Sequence, residues 1–205
     1  MRKILLIAVL SLSIIMCKSQ ADTKSPETKN VPANKNSQSE EVNLKKYFSD
    51  HNTQGSITIY DYKNKKWIYS DVEDSKKRTL PASTFKIPNS LISIEEGAVK
   101  DEYEVLKWDG IKRTYDAHNA DTDLKDAYKN STVWFYQEMA RRVGKEKFKK
   151  YLKEFNYGNQ NLSGKDDYFW LDNTLTISPV EQINFLTGLY EEKYPNSDNK
   201  FFALL

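Results

Sequence analysis

The sequence predicts an α/β (α+β) chain, a β-hairpin followed by packed helices. Two observations predict it. Gly55-Ser-Ile-Thr-Ile-Tyr-Asp-Tyr alternates apolar and polar residues, Lys63-Asn-Lys-Lys forms a turn, and Trp67-Ile-Tyr-Ser resumes the apolar run. Beyond residue 80, apolar residues recur at helical spacing in several stretches bounded by glycine, proline or a capping serine. With 205 residues, 39% of them hydrophobic and 13% aromatic, the chain is long and apolar enough to bury one real core.

The chain opens with Met1-Arg-Lys and a 13-residue apolar run from Ile4 to Met16. A basic start and a run too short to span a bilayer read as an export signal. Cys17 follows directly, and the chain then turns polar. That arrangement resembles a bacterial lipoprotein signal, which makes Cys17 an expected site of lipidation and membrane anchoring. Residues 18–43 are rich in Lys, Asn, Ser, Glu and Pro. They bury too little to fold alone and are expected to form a disordered tether. The expected layout is therefore 1–17 signal, 18–43 tether and 44–205 domain, exported and periplasmic.

Within the domain, a helix is expected from Ser83 through Leu91, Ile92 and Ile94 to a stop at Gly97, kinked by Pro88. Residues 100–124 read as irregular, with a turn at Trp108-Asp-Gly. One helix is expected over 130–143, ending at Gly144, and a second carries Phe148, Tyr151, Leu152 and Phe155. Ser178-Pro-Val-Glu181 is a capping box with proline at the first helical position, opening a helix through Leu189.

Composition excludes several function classes. With 31 basic against 29 acidic residues, the net charge of +2 gives no electrostatic reason for a nucleic-acid partner. A single cysteine forbids an internal disulfide and a cysteine-built zinc site. His51 and His118 both lie in polar, turn-like surroundings without ligand-spaced partners. No metal is expected, and nothing points to a Ser-His-Asp triad.

The candidate chemistry lies in Pro81-Ala-Ser-Thr-Phe-Lys-Ile-Pro88. On a helix, Ser83 and Lys86 would share one face, placing a hydroxyl beside an amine. A serine nucleophile needs a base within reach, and lysine serves only if burial pulls its pKa down. Ala82, Phe85 and Ile87 are apolar flanks that could provide such burial. The motif alone is weak: 17 serines in a lysine-rich chain should give about two Ser-x-x-Lys matches by chance. The other match, Ser197…Lys200, lies in a polar run without apolar walls and reads as accidental.

Context strengthens the first match. Pro81-Ala-Ser-Thr-Phe-Lys-Ile is followed in order by Lys107-Trp-Asp-Gly, Ser131-Thr-Val, Ala140-Arg-Arg-Val-Gly, Tyr157-Gly-Asn-Gln-Asn, Phe169-Trp-Leu and Ile177-Ser-Pro-Val-Glu-Gln. Over residues 55–190 the chain resembles the class D (oxacillinase-type) serine β-lactamases. The resemblance implies the serine β-lactamase/DD-peptidase-like fold, an antiparallel sheet with helices. It also implies hydrolysis of β-lactam antibiotics through an acyl-serine intermediate. Ser83 would be the nucleophile. Lys86 would carry carbon dioxide as a carbamate (N6-carboxylysine) and act as general base, with no other cofactor. Ser131 would relay a proton to the departing ring nitrogen, and the Ser83 backbone N–H would form half of an oxyanion hole. Val133, Trp170 and Leu171 would form an apolar wall, with the Trp170 indole N–H bonding the carbamate. Tyr157-Gly-Asn would shape the loop towards Trp170.

The family's third element, Lys-Thr/Ser-Gly, does not occur after Tyr190. A truncated chain missing the C-terminal strands and helix is expected on that account, with impaired turnover. The alternatives are a penicillin-binding sensor or a cell-wall transpeptidase-type domain, acylated without rapid release. The short export segment and the apolar wall favour the hydrolase.

Overall fold

The computed structural model of the chain describes residues 6–12 and 38–195. It falls into two compact units that divide between Lys77 and Arg78. The first holds a four-stranded sheet: β1 (Leu6–Leu12), β2 (Gln38–Glu41), β3 (Gly55–Asp61) and β4 (Lys66–Tyr69), in the order β1-β3-β4-β2. The expected hairpin is β3–β4, antiparallel, with Thr58 opposite Tyr69 and Asp61 opposite Lys66. Its turn closes on Asp61, whose carboxylate accepts from the Asn64 backbone and side-chain amides at 3.0 and 2.6 Å. Tyr60 and Trp67 face each other across the ladder, ring centroids 4.7 Å apart.

Two edges of this sheet differ from the sequence expectation. β1 pairs antiparallel with β3 and comes from the run read as an export signal. β2 pairs parallel with β4, so the sheet is mixed rather than antiparallel throughout. β2 is exposed along its length and lies inside the segment read as a tether. Its composition hides a strand because the free edge of β4, not apolar burial, holds it. The Glu40 carboxylate also pairs with Lys66 of β4. Cys17 and residues 18–37 lie outside the described residues.

The second unit is helical. The stretch around Ser83 begins as a 3₁₀ turn, Ala82–Phe85, and continues as α2 (Lys86–Glu95); a short α1 (Lys45–Ser49) precedes it in the first unit. Pro88 is thus in the first turn of α2, where backbone N–H groups lack helical acceptors anyway, so it removes nothing and no kink is required. Gly97, at φ +65°, ends the helix as expected, and the next N–H, of Ala98, returns to the Ser93 carbonyl at 2.8 Å.

The helix expected over 130–143 is α4 (Val133–Val143), which starts three residues later, and a further helix that was not expected, α3 (Leu124–Asn130), precedes it. Ser131 separates them in the left-handed conformation, φ 56°. A second helix, α5 (Lys145–Glu154), follows Gly144. Tyr157-Gly158-Asn159 then binds the chain back on residues 174–176. A Cβ on Gly158 would stand 2.1 Å from the Thr176 carbonyl oxygen, so only glycine fits there. The Asn159 side chain accepts from the Thr176 N–H and donates to the Thr174 carbonyl.

The core of this unit is aromatic. Phe85 is fully buried, with Phe169, Trp170, Tyr157 and Phe148 at centroid distances of 5.3, 5.4, 5.9 and 6.0 Å. Such pairs add roughly 0.5–1.5 kcal/mol each to the area they bury.

The capping box opens α6 (Pro179–Tyr190) as the sequence indicates: Ser178 Oγ accepts from the Glu181 N–H, and Glu181 accepts from the Ser178 N–H. Arg78 also forks onto Glu181 through Nε (3.1 and 3.0 Å) and Nη2 (2.5 Å). Burial raises the Glu181 pKa, but the bonds from Arg78 and Ser178 outweigh it and hold the carboxyl below the ordinary 4.5. A depressed carboxyl stabilises the fold above its unfolded-state pKa, and that contribution is lost as the pH falls through the folded-state value. Glu181→Gln should therefore lower unfolding free energy at pH 7 by about 1–3 kcal/mol. Urea titrations repeated below pH 4.5 should show the gap to the parent chain narrowing; a gap that widens in acid would contradict this account.

Candidate active site

The Ser83 hydroxyl is carried on the 3₁₀ turn and is open to solvent. Two neighbours hold this turn from behind. Phe85 anchors it in the aromatic cluster, and the Ala82 N–H donates to the Trp170 carbonyl at 3.3 Å. Ala82 itself has φ 47°, a left-handed value for a residue with a side chain. Such strain costs on the order of 1–3 kcal/mol and persists only where the surrounding structure imposes it.

Ser131 comes to the same place from the α3–α4 junction. Its Oγ lies 3.0 Å from Ser83 Oγ, within hydrogen-bond reach in either direction. The sequence places Ser131 at a helix opening but carries no sign of the left-handed turn there. A helix running through this position would keep its serine on the helical ladder; the break turns the chain at the hydroxyl. Ser131 is thus a second non-glycine residue at positive φ beside the paired hydroxyls.

Lys86 opens α2, one turn after Ser83, and is half-buried. Its Nζ donates to the Tyr128 carbonyl at 2.8 Å. The Ser131 N–H reaches that same oxygen at 3.3 Å. One carbonyl of α3 therefore holds both the amine and the second serine. Burial pulls the Lys86 pKa below the ordinary 10.5. Among the described residues, no carboxylate pairs with this lysine.

The three residues expected to form an apolar wall have these places. Val133 is the first residue of α4 and is half-buried. Trp170 is 4% exposed and stacks on Phe85, planes 18° apart. Leu171 is partly buried against the core. Trp170 thus backs the turn that carries Ser83 through its ring and its carbonyl.

Sequence reasoning missed two residues here. Tyr128 supplies the carbonyl just described, and its ring lies 4.8 Å from Lys86 Nζ. A tyrosine in a polar helical stretch carries no signal of either contact. His118, read as a residue of a polar turn, is instead 9% exposed. Its Nε2 bonds the Asn130 carbonyl at 2.9 Å, and its own carbonyl accepts from the Trp134 indole at 3.0 Å. It fastens the residue before Ser131. Among the described residues no group of three or more His, Cys, Asp or Glu could hold a metal. None of their helices is long and apolar enough to cross a membrane.

The sequence matches the penicillin binding protein transpeptidase domain family over residues 24–196. It is 43% identical over 159 residues to β-lactamase OXA-20 of Pseudomonas aeruginosa, covering 76% of this chain and 59% of that one. It is 44% identical over 147 residues to β-lactamase OXA-48 of Klebsiella pneumoniae, covering 72% and 56%. The chain thus spans little more than half the length of these relatives. Among solved structures it resembles a class D β-lactamase from Sebaldella termitidis, with 56% identity and a TM-score of 0.78. That match covers 82% of this chain and 68% of that one. By the family match the chain belongs to the penicillin binding protein transpeptidase domain family, as a relative of the class D serine β-lactamases.

Proposed function

We propose that this chain binds β-lactam antibiotics and opens their ring through Ser83, and that it hydrolyses the resulting ester. The observation that carries this reading is the 3.0 Å approach of the two serine hydroxyls beside a half-buried lysine. Ser83 Oγ attacks the lactam carbonyl carbon and gives up its proton to the base at Lys86. The carbonyl–nitrogen bond breaks, and Ser131 passes a proton to the freed nitrogen. The backbone N–H of Ser83 is the oxyanion donor we assign on this side of the site.

Lys86 suits the base role in one testable respect. Its amine is held where burial disfavours the ammonium, and only a neutral amine can take up carbon dioxide. The carbamate so formed would supply a carboxylate oxygen as base, with the Trp170 indole as its intended donor. Val133 and Leu171 would keep water away from it.

The matched family description favours one second reading, a transpeptidase-type or sensor domain that is acylated and stays so. Export to the periplasm, with Cys17 lipidated as a membrane anchor, completes the proposal from the N-terminal sequence pattern.

Intact mass spectrometry after mixing with benzylpenicillin tests the central step. The parent chain should gain the mass of one penicillin and Ser83→Ala should gain none; an adduct on Ser83→Ala would overturn the assignment. Loss of the adduct within minutes supports the hydrolase, whereas persistence for hours supports the sensor reading. Ser131→Ala should slow acylation by about 10²- to 10⁴-fold, the usual contribution of a positioned proton donor. A lysine whose pKa lies below 10.5 gains its neutral form as the pH rises. The acylation rate should accordingly climb with pH, with its midpoint below that value. Removal of bicarbonate should reduce it, and an unchanged rate would remove the carbamate from the mechanism.

A further inference from the structure

We propose that Tyr128 sets the charge state of Lys86, holding the side chain as the ammonium and so resisting its conversion to the base. This rests on the reading of Lys86 above and names a residue that tunes it.

The geometry is specific. Nζ lies 4.8 Å from the centroid of the Tyr128 ring and donates at 2.8 Å to the carbonyl of the same residue. The face of an aromatic ring carries negative charge density and attracts a cation within about 6 Å. A carbonyl acceptor binds an ammonium about twice as strongly as a neutral donor. Both contacts therefore favour the charged amine. Among the described residues they are its partners, since no carboxylate pairs with Lys86. Tyr128 is itself half-buried and packed against the core, which holds the ring in place.

Two opposing forces thus meet at one nitrogen. Burial drives Lys86 towards the neutral amine, and the Tyr128 ring and carbonyl draw it back to the cation. Carbamylation joins the carbon of carbon dioxide to the lone pair of neutral Nζ and releases one proton to water. The product is an anion. It forfeits the ring contact twice over, because the cation is lost and a negative group is brought towards a negative face. Replacing the ring by a non-aromatic side chain leaves the backbone carbonyl and much of the burial. It removes one of the two contacts that oppose carbon dioxide.

The experiment is a ¹³C-bicarbonate titration of the full chain at fixed pH, reading the carbamate carbon by NMR, with Lys86→Ala subtracting signal from other lysines. Cation–π contacts are worth 0.5–2 kcal/mol, so Tyr128→Leu should reach half-carbamylation at roughly 2- to 30-fold less bicarbonate than the parent chain. Tyr128→Phe keeps the ring and should stay within about twofold. If Tyr128→Leu does not fold by circular dichroism, Tyr128→Met, unbranched and favourable in helices, carries the same comparison. Equal midpoints for the parent and the non-aromatic variant overturn the role of Tyr128 while leaving the carbamate reading intact. A shift in Tyr128→Phe as large as in Tyr128→Leu overturns the role of the ring. Carbamate in neither the parent nor the variant, at saturating bicarbonate, overturns both. Carbamate in the variant alone supports the inference in its strongest form.

Discussion

The insertion of one ring, Phe85, between the rings of Phe169, Trp170, Tyr157 and Phe148 is the constraint on which the site depends. Phe85 stands between Ser83 and Lys86 in sequence, so anchoring it fixes both at once. A serine on a short 3₁₀ turn has no helical ladder to hold it. Here the turn is held by a buried side chain and by the Ala82 N–H on the Trp170 carbonyl. The reactive hydroxyl can then remain exposed without being loose. The strained φ of Ala82 is tolerated for the same reason, since the aromatic cluster leaves the chain no other route.

A second constraint acts at the end of α3. The Tyr128 carbonyl receives both Lys86 Nζ and the Ser131 N–H, and His118 bonds the carbonyl of Asn130. The amine and the second serine are therefore referred to one fixed oxygen at the end of α3. Their spacing from Ser83 follows from how α2 packs against the α3–α4 junction. The site is a meeting of two backbone breaks, each made by a residue at positive φ and each locked by a buried neighbour.

Much of this was legible in the sequence because the signals are local. The hairpin follows from alternation and a polar turn, the stop of α2 from Gly97, and the start of α6 from a serine and a glutamate three residues apart. The order of short motifs around Ser83, Ser131 and Trp170 carried the family. What was not legible required partners distant in sequence. β2 hides in a polar segment because edge pairing needs no apolar residue. The left-handed turn at Ser131 carries no sequence signal because the residue that makes it is not a glycine. His118 reads as a polar-turn residue because its neighbours are polar, while its ring nitrogen is held by the Asn130 carbonyl at the end of α3.

The sequence by itself determined the hairpin, the helix boundaries marked by glycine and proline, and the residue types of the site, since each depends on neighbours within a few positions. The tertiary structure alone decided that the two serine hydroxyls meet at 3.0 Å and that one tyrosine surrounds the lysine amine from ring and carbonyl. Those facts turn on packing between elements some 40 residues apart, and side-chain packing has no period that a sequence pattern can display.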